Sequence, residues 1–169
     1  MTQGVRIVNK NESQFEAHWD RPGLTLPYAG KEEVPMLTPV LALVVWTLAI
    51  WIWMYATRIP AMQKAGIAPQ QARFPGSLER LPDSARQVAD NYNHLMEQPT
   101  IFYALCFIVV LAGRSDSLNI DLAWAYVGLR IVHSLIQCTV NIVNLRFLVF
   151  TLSTLVLMAM AARAVMAAV

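Results

Sequence analysis

Four long apolar segments dominate this sequence of 169 residues. Residues 34–57 include no charged side chain over 24 positions, and residues 98–113 and 147–162 include none over 16 positions each. A fourth segment, 122–145, is apolar apart from a few polar side chains. Each segment can be extended to the ~20 residues that a helix needs to cross ~30 Å of hydrocarbon. The pattern predicts an all-α membrane protein, a bundle of four transmembrane helices.

The composition supports this assignment and excludes other classes of protein. Only 14% of the residues are charged and 56% are hydrophobic, whereas a soluble domain carries about 25% charged residues. The net charge of +2, without a basic stripe, does not favour a nucleic-acid partner. Cys106 and Cys138 lie in predicted spans without motif spacing, so we expect both to be small buried hydrophobic residues.

The sequence divides into a polar arm and a membrane domain. Residues 1–33 are predicted to form an extramembrane N-terminal arm, a segment that could dock a protein partner. Residues 34–169 form the predicted membrane domain. Its spans are expected at about 34–57, 90–113, 120–143 and 147–168.

The distribution of basic residues predicts the orientation in the membrane. The long connector, 58–86, carries five arginine and lysine side chains, and Arg146 lies in the link between spans 3 and 4. Only Arg21, Lys31 and Arg114 lie near the spans on the opposite side. Because basic loops stay in the cytoplasm, we expect the connector to be cytoplasmic and both termini to lie on the opposite side.

A polar stripe runs along span 3. Arg130, His133, Gln137, Asn141 and Asn144 follow one another at steps of three, four, four and three residues, which places them on one face of a helix. A charge at membrane depth costs from roughly 3 to over 10 kcal/mol. The stripe must therefore face a partner, a water-filled cavity or a ligand. We expect Asn141 and Asn144 to satisfy the end of the helix.

The second span carries its own polar residues on one helical face. They are Arg86, Asp90, Asn93, His94 and Glu97. Arg58 ends span 1, and Arg146 begins span 4, on the same side of the membrane. Ionisable side chains from four helices are thus predicted to lie at one end of the bundle.

These charges admit two interpretations. Glu97 is expected to pair with Arg130, because two buried charges cost far less together than apart, and the groups could serve only to fix helix packing. Arg58 and Arg146 leave a surplus of positive charge, however, which suits an anionic ligand with carboxylates or a thiolate. An arginine beside a thiol increases the fraction of reactive thiolate, as conjugation or peroxide reduction requires.

Two other kinds of site are disfavoured. His94 and Glu97 could bind a metal together with His133, but di-metal sites in helical bundles need a second Glu-x-x-His pair, which is absent from the sequence. We therefore predict no metal site. Ser134 is adjacent to His133, so the two side chains point about 100° apart on a helix and do not form a nucleophile–base pair.

Three motifs lie at the polar positions of the spans. EQPTIFYAL at 97–105 opens span 2, GLRIVHS at 128–134 lies in span 3, and NLRF at 144–147 begins span 4. In combination with four spans of this length, they resemble the membrane-associated proteins in eicosanoid and glutathione metabolism, the MAPEG family. The resemblance covers about residues 36–165, and bacterial members of unassigned activity are the most similar.

The resemblance implies a MAPEG-like four-helix bundle that assembles as a homotrimer in a bacterial inner membrane. It also implies glutathione as a co-substrate, bound between subunits near the cytoplasmic face, and a lipophilic small molecule that enters from the membrane lipids. By position, Arg146 matches the family arginine that stabilises the glutathione thiolate, which makes it the candidate catalytic residue. The candidate glutathione-binding residues are Arg58, Arg86, Asn93, His94, Glu97, Arg130, His133 and Gln137.

The helix 2 motif departs from the family pattern. The family pattern is Arg-x-x-x-Asn-x-x-Glu, and the corresponding residues here are Asp90, His94 and Glu97. The acid Asp90 therefore occupies the position of a cation that would hold a glutathione carboxylate. Arg86, one turn earlier, or Asn93 could compensate for that change.

Further departures lie in spans 3 and 4. Gln137 replaces a tyrosine of many members, and Phe147 and Phe150 replace a serine and a tyrosine of the prostaglandin-synthase branch. Two hypotheses follow: a glutathione-dependent transferase or peroxidase acting on a lipophilic electrophile, or a non-catalytic membrane subunit or lipid-binding scaffold that has lost glutathione binding. A transporter is disfavoured because the sequence shows no inverted repeat or broken helix.

Overall fold

The structure, a computed structural model, describes residues 35–74 and 76–168, which are helical apart from the connections between helices. The predicted N-terminal arm lies outside the described residues. The helices are α1 (Leu37–Lys64), α2 (Asp83–Leu95), α3 (Gln98–Leu111), α4 (Ser117–Cys138) and α5 (Val143–Ala168), with a 3₁₀ turn at Pro69–Ala72. The described ranges contain no strand.

The helices form an antiparallel bundle in which α2 and α3 follow one another as one interrupted rod. At one end, the Gln87 side chain of α2 donates to the Cys138 carbonyl at the end of α4 (2.9 Å). At the other end, Arg163 Nε of α5 donates to Asn119 Oδ1 near the start of α4 (2.8 Å). Helix α4 packs against α1, α2 and α5, whereas α1 and α5 share no extended contact. The stripe-bearing helix α4 is therefore the centre of the bundle.

Two helix ends differ from the predicted spans. Helix α1 continues past residue 57 to Lys64, with Pro60 inside it. Proline removes one backbone hydrogen bond, and the strong helix formers that follow it allow one more turn. Helix α4 ends at Cys138, so Asn141 lies in the following link with a positive φ of 50°. The Asn141 backbone N–H donates to the Ile136 carbonyl at 2.7 Å and so satisfies the helix end, as expected, whereas Asn144 lies in α5 and not on the stripe.

Three helical segments are long and apolar enough to cross a membrane: Leu37–Lys64, Asp83–Leu111 and Val143–Ala167. Helix α4, which covers most of the third predicted span, is not among them, because its polar side chains lower its mean hydropathy. The outward faces of the apolar helices are rich in exposed large side chains. They include Leu41, Val45, Leu48, Ile52, Ile101, Phe107, Leu152, Leu155 and Met158. A surface of this kind needs lipid or another protein to cover it.

The interior combines apolar packing with polar groups. Leu43, Phe102, Cys106 and Met160 are fully buried, and the Phe102 ring stacks on Tyr126 at 4.6 Å between centroids. Both cysteines are buried and free, as predicted. Between helices in lipid, association depends on close packing and on interhelical hydrogen bonds rather than on the hydrophobic effect. The buried polar residues of α4 therefore contribute to holding this bundle together.

Candidate functional site

The candidate site begins at the interruption between α2 and α3. Helix α2 ends at Leu95 and α3 begins at Gln98, with Glu97 at φ −91° and ψ −95° between them. Pro99 lies in the first turn of α3, where its missing N–H costs no helical hydrogen bond. The interruption lies beside the polar stripe of α4, because the residues on either side of it contact that stripe.

Helix α4 presents the predicted polar stripe to the inside of the bundle. Arg130 is 1% exposed, and His133 and Gln137 are each 3% exposed. These three residues share one buried face, as their spacing predicts. The stripe therefore consists of these residues, preceded one turn earlier by the buried Tyr126.

Arg130 is held by neutral groups. Its Nε donates to the Tyr126 hydroxyl at 3.1 Å, and its Nη2 donates to the Gln98 side-chain oxygen. The guanidinium carbon lies 5.0 Å from the centroid of the Phe150 ring, in cation–π geometry. Within the part of the chain that the structure describes, no carboxylate pairs with this arginine.

The predicted Glu97–Arg130 ion pair is therefore wrong for this chain. Glu97 lies at the helix interruption, where its side chain is 69% exposed, and it pairs with His94 instead. Gln98, the next residue, begins α3 and reaches Arg130 in its place. The change in backbone direction at the interruption explains why helical spacing alone selected the wrong partner.

Two histidines and an aromatic ring lie together beside this interruption. His94 Nδ1 and Glu97 Oε2 are 3.1 Å apart. The His94 ring meets His133 edge to face, with 5.1 Å between centroids, and stacks on Phe150 at 5.2 Å. Helices α2, α4 and α5 each contribute one of these rings.

Arg146, at the start of α5, completes what we call the arginine–histidine cluster. The cluster consists of His94, Glu97, Arg130, His133 and Arg146. A cavity of about 170 Å³ is lined by both histidines, Arg146, Phe150 and two neighbouring side chains. Arg146 donates one hydrogen bond to the Asn141 side chain, while its Nε is buried without a partner. The cavity thus has a guanidinium in its wall that no carboxylate neutralises among the described residues.

The other predicted site residues are not brought into this cluster. Arg86 lies 3.6 Å from Asp83 in an exposed pair at the start of α2. Asn93 is exposed, and Arg58 is partly buried on α1, a helix that shares no extended contact with α5. Gln137 is buried one turn beyond His133, with its side-chain oxygen unpartnered.

Sequence reasoning missed three residues that the structure places around the stripe. Tyr126 precedes Arg130 by four residues, so helical spacing could have identified it as a partner. Gln98 follows the helix interruption and gave no such signal. Asn91 is fully buried with both side-chain amide atoms unpartnered, and it lies three residues before His94 on α2.

The chemistry of the arginine–histidine cluster favours an anion. The cluster contains two guanidinium groups and one carboxylate, and that carboxylate is already bonded to a histidine. Guanidinium groups bind thiolates and carboxylates through charge-assisted hydrogen bonds. The described residues place no three His, Cys, Asp or Glu side chains where they could hold a metal ion.

Comparisons with known proteins bear on the family of the chain. No curated protein and no solved structure gives a match. A family model, that of the MAPEG family, matches residues 36–166, a stretch that includes every residue of the cluster. The match covers most of the sequence, and three helices have the length and hydropathy of membrane spans. The chain is thus an integral membrane protein and belongs to the MAPEG family.

Proposed function

We propose that this protein is a glutathione-dependent membrane enzyme of the transferase or peroxidase type, acting on a lipophilic electrophile. The observation that carries the proposal is the state of Arg146. Its guanidinium lines a cavity, lacks a carboxylate partner among the described residues and keeps a buried Nε without a hydrogen bond. Leaving such a group unpaired is costly, so an anionic ligand at this position would stabilise it.

In this proposal Arg146 stabilises the thiolate of glutathione. A guanidinium lowers the free energy of the ionised sulfur relative to the thiol, which increases the concentration of the nucleophile. His94 and His133 line the same cavity, Glu97 is bonded to His94 beside it, and these residues would contact the tripeptide. The lipophilic substrate would approach from the lipid that surrounds the apolar outer surface of the bundle.

The proposed site is completed by a second copy of the chain. Arg58 and Arg146 belong to helices that share no extended contact within one chain. The family resemblance implies a homotrimer with sites between neighbouring subunits, and we propose that α1 of one copy lies towards α5 of its neighbour in it. We also propose that the trimer lies in a bacterial inner membrane, with the connector after α1 in the cytoplasm.

Titration of the purified full-length protein with glutathione tests this proposal. Calorimetry should show binding at millimolar glutathione or below, and Arg146→Ala should abolish both binding of the thiolate and any conjugating activity. Glu97→Ala should weaken binding. Arg114→Ala is the matched control, because Arg114 is an exposed arginine at the opposite end of the bundle and should leave the titration unchanged. Failure of the parent protein to bind glutathione would overturn the proposal.

A second function, that of a non-catalytic subunit or lipid-binding scaffold, is favoured by Asp90 and Phe150. Asp90 is exposed on α2, where the family pattern has an arginine, and Phe150 stacks on His94 beside the cavity. Under this alternative the parent protein does not bind glutathione. Asp90→Arg would then create binding, which would identify position 90 as the residue responsible for the loss.

A further inference from the structure

The hydrogen bond between His94 and Glu97 determines how the histidine can act. Nδ1 of His94 lies 3.1 Å from Oε2 of Glu97. When Nδ1–H donates to a carboxylate, the other ring nitrogen, Nε2, keeps its lone pair and can only accept a proton. A carboxylate in this position also stabilises the imidazolium that forms after proton transfer. The His94–Glu97 pair can therefore act as a base whose imidazole ring is held in one tautomer.

The position of His94 places that base beside the proposed thiolate site. His94 lines the same cavity as Arg146, and its side chain is 26% exposed. In the described part of the chain, Glu97 is the one hydrogen-bond partner of the His94 ring. His133 and Phe150 pack on the ring at 5.1 and 5.2 Å between centroids and hold its plane. Nε2 is thus left for a ligand in the cavity.

The charged and titratable groups around His94 come from three elements. Glu97 follows on the same segment, Arg130 and His133 face it from α4, and Arg146 faces it from α5. Among these, Glu97 is the one carboxylate. Its charge balances the positive charge that His94 acquires when it takes a proton, while Arg146 remains available for the anion that the same transfer creates.

We propose that His94, oriented by Glu97, is the base that deprotonates the thiol of glutathione in the cavity. This inference rests on the proposed function. The S–H bond breaks, its electron pair stays on sulfur, and the proton forms a new N–H bond at Nε2 of His94. Glu97 stays ionised and bonded to Nδ1–H. After the thiolate has attacked the electrophilic carbon, the proton passes from Nε2 to the departing group, which restores the neutral ring.

His94 and Arg146 have different roles in this step. Arg146 stabilises the thiolate once it exists, whereas His94 accepts the proton, and Glu97 acts as a positioning residue. The family pattern has asparagine where this chain has His94, and an amide cannot accept a proton at neutral pH. The substitution by histidine therefore adds a group that general-base catalysis requires.

The variants His94→Asn and Glu97→Gln test the inference in the full-length protein. His94→Asn introduces the residue of the family pattern, so the variant should still bind glutathione, while its turnover at neutral pH falls by about 10²-fold or more, the usual contribution of a general base. The loss should shrink as the pH rises and solution thiolate replaces the enzymatic step. Glu97→Gln should lower turnover by about tenfold, because the neutral amide stabilises the imidazolium less well.

Chemical rescue of a second variant distinguishes loss of the base from misfolding. His94→Ala removes the ring next to the cavity, and added imidazole should restore turnover without changing glutathione affinity. A His94→Asn variant with parental turnover, thiolate absorbance and pH profile would overturn the inference while leaving the proposed function intact. If the parent protein does not bind glutathione in the calorimeter, both are overturned.

Discussion

At the scale of single residues, the buried arginine of α4 is satisfied without an acid. Arg130 is 1% exposed, and the charge of its guanidinium is met by a hydroxyl, an amide oxygen and two aromatic faces. Arginine tolerates such surroundings better than lysine because its charge is delocalised and weakly hydrated. Gln98 is the critical partner, since it also donates to the Thr154 hydroxyl at 2.9 Å and so links α4 to α5.

We expect Gln98→Leu to destabilise the protein by about 2–3 kcal/mol, because it removes a hydrogen bond to a buried charge. Thr154→Val is the matched control, since it keeps the bond between Gln98 and Arg130. It removes the bond that Thr154 accepts from Gln98 and the one that it donates to the Phe150 carbonyl, and it should cost about 1 kcal/mol. Thermal unfolding in detergent, followed by tryptophan fluorescence, measures both. Equal stability of Gln98→Leu and the parent would mean that Glu97 turns inwards and pairs with Arg130 after all.

At the scale of helices, the start of α4 is tied to the end of α5. Asp116 caps α4, its side chain accepting the Asn119 backbone N–H at 2.8 Å. The same carboxylate contacts Arg163 of α5 at 2.7 Å. One residue thus stabilises a helix end and connects two elements, at the end of the bundle opposite the arginine–histidine cluster.

Substitutions of Asp116 should separate these two contributions. Asp116→Ala should cost about 1 kcal/mol for the cap and up to about 1 kcal/mol for the exposed ion pair. Asp116→Asn keeps a capping oxygen and should lose only the ion-pair contribution. The denaturation midpoints of the two variants, compared at low and high salt, measure the difference. If the two variants are equally stable at low salt, the cap contributes nothing here.

How far the sequence predicts these elements depends on the kind of signal. Uncharged segments and three- or four-residue spacing identified the apolar helices and the buried face of Arg130, His133 and Gln137, because both signals follow from helical geometry. The partner of Arg130 could not be found in this way. The interruption before Gln98 changes which side chain faces α4. Pro99 is a local signal for a break, because proline removes a helical hydrogen bond and clashes with the preceding turn, but it does not show which side chain then reaches Arg130.

At the scale of the whole molecule, one chain does not bring the helices of Arg58 and Arg146 together. Arg146 lies in the cavity on one side of the bundle, whereas Arg58 lies on α1, which has no extended contact with α5. The exposed apolar faces of α1, α3 and α5 leave room for neighbouring copies as well as lipid. In a closed ring of identical subunits, each contact uses two different surfaces of the chain, so a shared site would take Arg58 and Arg146 from different copies.

This arrangement predicts complementation between two inactive variants. Arg58→Ala and Arg146→Ala should each abolish glutathione conjugation when expressed alone. When the two are co-expressed with different affinity tags and purified on both, every mixed trimer contains one interface with both arginines, so activity should return to about one third of the parental value. Native mass spectrometry confirms the mixed composition. If both arginines act within one chain, the mixed trimers stay inactive, because no chain in them carries the complete pair.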